Sequence, residues 1–250
     1  MAKSYSIYVC SACEYESTKW LGQCPNCKEW NTLEEGTNEV AEALDASDVF
    51  RSSKISEIDR KELQRVSTGF EEFDRVLGGG FVNAEVVLIS GEPGIGKSTL
   101  LMQVIHKVQK SGVPSVYVTA EESLEQVAIR AERILGDDGK DIEVINAFDI
   151  DDVIKEIKNK GYKMAIIDSI QTVHTPEARG LPGGFAQLKA VSSRLVKFAK
   201  QNGVSLLLVG QITKSGNVAG PKLIEHLVDA VLQIEGDEDR GFRILRSLKN

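Results

Sequence analysis

The segment Gly91-Glu92-Pro93-Gly94-Ile95-Gly96-Lys97-Ser98, continued by Thr99, has the residue types and spacing of a loop that holds phosphates. Its glycines let backbone N–H groups approach phosphate oxygens, and a helix opening at its end adds a favourable field for anions. In such a loop Lys97 would pair with the β- and γ-phosphates of ATP, and Ser98 would ligate Mg²⁺. The context also fits. The apolar run Val86-Val87-Leu88-Ile89-Ser90 reads as a buried strand before the loop, and 97–110 reads as a helix after it. A chance glycine-rich turn explains neither the flanking elements nor the Lys-Ser pair.

Three further polar groups end predicted strands. Asp168 closes Met164-Ala165-Ile166-Ile167-Asp168, where a carboxylate would share the P-loop's sheet edge and help hold Mg²⁺. Glu121 and Glu122 follow Ser115-Val116-Tyr117-Val118-Thr119. A carboxylate there could orient or deprotonate the attacking water, or start the next helix, where acids suit the dipole. Glu121 is expected to be the base and Glu122 the helix-starting acid. Gln211 lies just beyond the strand Leu206–Val209 and could sense the γ-phosphate. The following loop, Thr213–Lys222, is small and basic, which suits a phosphate backbone. A plain surface loop is an equal alternative.

The four cysteines form two knuckles, Cys10-x2-Cys13 and Cys24-x2-Cys27, ten residues apart. Four thiolates complete a tetrahedral Zn²⁺ site that leaves no open position for catalysis. A disulfide framework would need an oxidising compartment. His106, His174 and His226 stand apart in sequence and read as packing or surface residues.

These groups need a scaffold, and 250 residues with 42% hydrophobic content suffice for one sizeable domain and a small module. Residues 1–33 form the expected zinc-binding module, with both tryptophans, Trp20 and Trp30, expected to pack around the metal loops rather than stack on bases. Residues 34–65 read as an acidic linker, with six acids and no base in 34–48. Residues 66–250 read as the catalytic core. After the first strand and helix come a helix ending near Leu135, a strand Ile142–Ile145 and a helix near 150–160. Beyond Asp168 lie a helix Phe185–Gln201 and strands Leu206–Val209, Ala230–Ile234 and Phe242–Leu248. Strands alternating with helices give an α/β fold whose mostly parallel sheet is flanked by helices.

The net charge of −7 argues against a protein coated with positive charge. Residues 171–222 nevertheless hold seven bases (Arg179, Lys189, Arg194, Lys197, Lys200, Lys214 and Lys222) against Glu177, a local +6 that could hold a polyanion. No stretch approaches the ~20 apolar residues of a membrane span, and Met1–Cys10 has no secretory pattern. A cytoplasmic protein without a membrane partner is expected.

The cysteine knuckles, Ser67-Thr68-Gly69-Phe70-Glu71-Glu72-Phe73-Asp74-Arg75-Val76-Leu77-Gly78-Gly79-Gly80, Gly91–Thr99 and Ala120-Glu121-Glu122-Ser123 together resemble the bacterial RadA/Sms family. The resemblance covers nearly the whole chain. It implies a RecA-like P-loop ATPase core, a homo-hexameric ring, and DNA-dependent ATP hydrolysis in recombination and repair. Branch migration on single-stranded and branched DNA, alongside RecA recombinase, would be its work. Segments 171–184 and 212–221 would be the DNA-facing loops, with Arg179, Lys214 and Lys222 as contacts. In that family a Lys-Asn-Arg-Phe-Gly motif, used by a neighbouring subunit, and a Lon-protease-like domain follow the core. Lys249-Asn250 match the first two residues of the motif, so the chain reads as a fragment ending ahead of that domain. Two other readings stay open: a KaiC-like nucleotide-gated regulatory ring, and an ATP-bound adaptor that works through its zinc module.

Overall fold

The computed structural model describes residues 6–12, 16–17, 19–37, 54, 56, 65–178, 180–211, 224–237 and 241–250. Cys13, Arg179, Lys214, Lys222 and most of the expected linker lie outside the described residues. The chain divides into two compact units, Met1–Glu62 and Leu63–Asn250.

The first unit is built on three antiparallel strands, β1 (Ser6–Cys10), β2 (Glu16–Ser17) and β3 (Leu33–Thr37), in the order β2-β1-β3. Its described core is Cys10, Cys24 and Leu33, with Cys10 directly opposite Leu33 in the ladder. A core this small needs a further cross-link to hold one fold. The tryptophans do not supply it. Trp20 is 55% and Trp30 68% exposed, against the expectation that they pack around the metal loops. They flank Gly22 from outside, each within about 4 Å of where a β-carbon would stand.

The second unit holds a seven-stranded sheet ordered β10-β9-β4-β8-β7-β5-β6. Its strands are β4 (Val86–Gly91), β5 (Ser115–Thr119), β6 (Val144–Asn146), β7 (Met164–Asp168), β8 (Ser205–Val209), β9 (Ala230–Asp237) and β10 (Phe242–Lys249). All neighbours run parallel except β10, which returns antiparallel to β9. The helices are α1 (Glu71–Val76), α2 (Lys97–Lys110), α3 (Leu124–Leu135), α4 (Ile150–Lys160) and α5 (Phe185–Asn202). A 3₁₀ turn, Gly136–Asp141, with Ile142 as its C-cap, precedes β6, which spans Val144–Asn146 where a strand Ile142–Ile145 was expected.

Strand alternation sorts the core into two layers. Val86, Leu88, Val116, Val118, Ala165, Ile167, Leu206 and Leu208 pack with α4 and α5 residues on one face. Val87, Ile89, Tyr117, Met164, Ile166, Leu207 and Val209 pack with α1, α2 and α3 residues on the other. Each such aliphatic side chain contributes about 1.5–3 kcal/mol when removed from water. Strands covered on both faces read as continuous apolar runs, which is why their sequences are legible as buried parallel strands.

The approach to β4 is fixed by polar contacts within the Ser67–Gly80 segment. Asp74 accepts hydrogen bonds from the Thr68 amide (2.8 Å) and the Ser67 hydroxyl (2.5 Å). Gly80 sits at φ +104°, and a β-carbon there would lie 2.6 Å from the Val66 carbonyl oxygen. That close approach permits only glycine.

Candidate functional site

Parallel strands deliver their C-terminal ends to one edge, and the strand order sets the neighbours. The P-loop follows β4, Gln211 follows β8, Asp168 ends β7 and Glu121 follows β5. Four consecutive strands therefore bring together residues spread over 120 positions of sequence. A cavity of ≈ 280 Å³ is lined by Lys97, Ser98, Thr99, Glu121, Asp168 and Gln211, together with Pro93, Gly94, Gly96, Arg130 and Val209. Two larger cavities, ≈ 450 Å³ beside Tyr162 and ≈ 470 Å³ beside Ile142, contain none of the P-loop residues.

Helix α2 opens at Lys97, with Gly96 in the left-handed region at φ +103°. The Lys97 ammonium donates to the carbonyls of Gly91 (2.8 Å) and Glu92 (3.0 Å) across the loop. Burial pushes its pKa down, and the carboxylates of Asp168 and Glu121 pull it back. These two bonds hold the ammonium against the loop backbone at the mouth of helix α2.

The carboxylates are held by neighbours. Ser169 Oγ donates to Glu121 Oε1 (2.5 Å), and Gln211 Nε2 donates to the same oxygen (3.3 Å). Tyr117 donates its phenolic hydrogen to Asp168 Oδ2. Burial, and then the adjacent Asp168 charge, raise the Tyr117 pKa well above the ordinary phenol range, so the phenol stays a donor. Arg130 of α3 donates to the Tyr117 oxygen (3.1 Å) and to Glu122 Oε1 (2.8 Å). The chain Glu122–Arg130–Tyr117–Asp168 thus runs from α3 to the end of β7.

Glu122 does not start helix α3. Ser123 is the N-cap, and a capping box joins it to Gln126, so the helix opens at Leu124 and Glu122 is left to pair with Arg130. Tyr117, Arg130 and Ser169 escaped the sequence reading. Tyr117 looks like one more apolar strand residue, and Arg130 looks like a surface base eight residues beyond Glu122. Ser169 could have been suspected from its place beside Asp168.

The +6 zone is weaker than its count. Arg194 pairs with Asp151 (2.5 Å) and with Glu177, and Lys200 pairs with Asp229 (2.6 Å). Acids distant in sequence neutralise two of the seven bases.

In the first unit the Sγ atoms of Cys10, Cys24 and Cys27 all lie within 4.8 Å of one another, with Cys10 and Cys27 at 3.6 Å. Tetrahedral zinc with bonds of about 2.3 Å places its sulfurs about 3.8 Å apart. The three described thiols fit that geometry, and bound zinc would tie β1 to the loop that carries Cys24 and Cys27. Among the described residues no helix is long and apolar enough to cross a membrane.

A parallel sheet with a P-loop and carboxylates at adjacent strand ends defines a RecA-like ATPase fold, here accompanied by a zinc ribbon. Residues 66–156 match the family model described as ATPase: KaiC, and residues 8–35 match the rubredoxin metal binding domain. The crystal structure of a KaiC-like protein from Pyrococcus horikoshii OT3 shares the fold, with a TM-score of 0.58 and 22% identity over 75% of this chain and 88% of that one. Along its whole length the chain is 40% identical to the DNA repair protein RadA of Bacillus subtilis (strain 168) and 42% identical to that of Pseudomonas aeruginosa PAO1. Over its whole length the chain is a homologue of these RadA proteins. It spans 56% of the length of each of those two relatives.

Proposed function

We propose that this chain binds ATP with Mg²⁺ and hydrolyses it in response to DNA, as part of a protein of recombination and DNA repair. The observation that carries the reading is the meeting of Lys97, Glu121 and Asp168 in one cavity, with Gln211 bonded to the Glu121 oxygen. In the proposed site the P-loop from Gly91 to Thr99, through its backbone N–H groups other than at Pro93, and Lys97 bind the phosphates, while Ser98 and Asp168 hold Mg²⁺. That ion would offset charge on the β- and γ-phosphates.

Glu121 is the proposed base. It receives the proton of the attacking water or orients that water toward the γ-phosphorus. Ser169 and Gln211 hold the carboxylate in place. Gln211 leads directly into the basic segment 212–222, so DNA at that segment would act on the catalytic carboxylate through one side chain. This supplies a physical route for DNA dependence. Single-stranded and branched DNA as ligands, RecA recombinase as partner, branch migration as the outcome and a hexameric ring as the assembly belong to this proposal. So do the DNA contacts Arg179, Lys214 and Lys222.

The KaiC-type family match supports a second reading, a nucleotide-gated ring that acts on proteins instead of DNA. Steady-state ATP hydrolysis by the intact protein, with and without single-stranded DNA, separates the two. Strong stimulation by DNA, lost in Lys97→Ala, is expected. Turnover indifferent to DNA would favour the regulatory ring, and turnover unchanged by Lys97→Ala would overturn the site.

A further inference from the structure

The hairpin of β9 and β10 lies against the phosphate loop, and two glycines make the room. Gly236 and Arg243 are cross-strand partners near its turn. A β-carbon at Gly236 would stand 2.7 Å from Ile95 Cδ1, so the missing side chain lets the loop's Ile95 pack onto β9. A β-carbon at Gly96 would stand 3.0 Å from Arg243 Nη1 and 3.3 Å from its Cζ. The guanidinium therefore rests on the residue that caps α2 and immediately precedes Lys97.

Its surroundings leave it uncommitted. Arg246, three residues along β10, pairs with Glu235 at 3.4 Å. Arg130 is engaged by Glu122 and Tyr117. Arg243 is exposed and has no ion pair or hydrogen bond among the described residues. The cavity beside it contains the carboxylates Glu121 and Asp168, so a polyanion entering there is favoured by a cation at its rim in addition to Lys97 and Mg²⁺. An arginine fork matches phosphate oxygens in a way a point charge does not, and its place on a strand fixes the backbone from which it reaches.

We propose that Arg243 is a nucleotide-contacting residue of this site, its guanidinium hydrogen-bonding the phosphate chain of ATP or ADP seated in the P-loop. The proposal rests on the reading of the P-loop as an ATP site. Gly96 then has two reasons to be glycine: its backbone conformation, and the guanidinium lying where a side chain would begin.

The test is equilibrium binding of fluorescent ATP, ADP and adenosine analogues to the intact protein, compared for wild type, Arg243→Gln, Arg243→Lys and Lys97→Ala. Arg243→Gln is expected to weaken both nucleotides about tenfold, the scale of losing one charge-assisted hydrogen bond. Its affinity should also depend less on salt. Arg243→Lys should recover part of the loss, and neither variant should lower the melting temperature measured without nucleotide. Wild-type binding with Arg243→Gln within twofold of it would overturn the role of Arg243 alone. A loss as large for adenosine as for ADP would place the contact on the nucleoside and overturn the phosphate assignment. Failure of wild type itself to bind would overturn the ATP site, and the role of Arg243 with it.

Discussion

Tyr117 donates its phenolic hydrogen to Oδ2 of Asp168, so a residue that looks like core filling in β5 fixes the carboxylate that ends β7. The two strands are direct neighbours, with Thr119 opposite Asp168. Two residues before Thr119 on the same strand, Tyr117 reaches along it to the same edge. Arg130 holds the phenol from the other side. If Asp168 helps hold Mg²⁺, Tyr117 acts as a positioning residue whose loss loosens the metal and leaves nucleotide contacts intact. Tyr117→Phe should keep the fold and raise the Mg²⁺ concentration for half-maximal ATP turnover about tenfold, the low end of effects seen when a partner of a metal ligand is removed. An Mg²⁺ titration of turnover at saturating ATP checks it. An unchanged midpoint would show that the bond does not serve the metal.

Glu121 and Glu122 are adjacent in sequence and differ in company. Glu121 bonds to Ser169 and Gln211 at the cavity, whereas Glu122 bonds to Arg130. Glu121→Gln should lower kcat at least about 100-fold, the scale of a lost general base, with ATP affinity within a few-fold of wild type. Glu122→Gln should retain most of kcat and lower the melting temperature, because it leaves Arg130, only 12% exposed, without its carboxylate. Equal kcat losses in the two variants would contradict this division of roles.

The difference between these two glutamates marks how far sequence could reach. The P-loop and its flanking elements were legible because a buried strand, a glycine-rich turn and a helix each leave a local signature. Helix α2 covers the expected residues, 97–110, and β7 covers Met164–Asp168 as expected. What one strand end does to another depends on strand order, and order is a property of the folded sheet. Glu121 meets Gln211 from 90 positions away because only β7 lies between β5 and β8 in the sheet. Arg130 was illegible for the same reason, since its partner Tyr117 belongs to another element. The positive zone failed in the opposite direction. Counting charges along a window could not see Asp151 and Asp229 arriving from elsewhere to neutralise Arg194 and Lys200.

Cys24 and Cys27 lie on the loop that faces Cys10, and the described core of the first unit contains only one non-cysteine residue, Leu33. Bound metal should therefore supply most of that unit's stability. Replacing both Cys24 and Cys27 by Ser should reduce zinc, by elemental analysis, from about one per chain to background. The same variant should unfold the first unit, seen as rapid amide hydrogen exchange in β1 and β3. ATP binding by the second unit should survive, since no P-loop residue comes from the first. Zinc retained in the double variant would place the metal elsewhere.

Glu85 offers a test of how the start of β4 tolerates a buried acid. Glu85 is 8% exposed as a residue, and its carboxylate accepts the Val82 amide at 2.7 Å. Burial raises its pKa above the ordinary 4.5, with Asp229 adding to the shift, while the Val82 hydrogen bond, Arg65 and Lys200 oppose it. A raised folded-state pKa means that the native state favours the protonated acid. The associated stability is fully present below the unfolded-state pKa and is lost as pH rises through the folded one. Glu85→Gln keeps an acceptor for the Val82 amide and removes the titration. The variant should match wild type in melting temperature near pH 4 and exceed it increasingly as pH rises toward 7. Melting curves across that range decide the matter: a variant less stable than wild type at pH 7 would mean that the ionised carboxylate is favoured, with Arg65 and Lys200 outweighing burial.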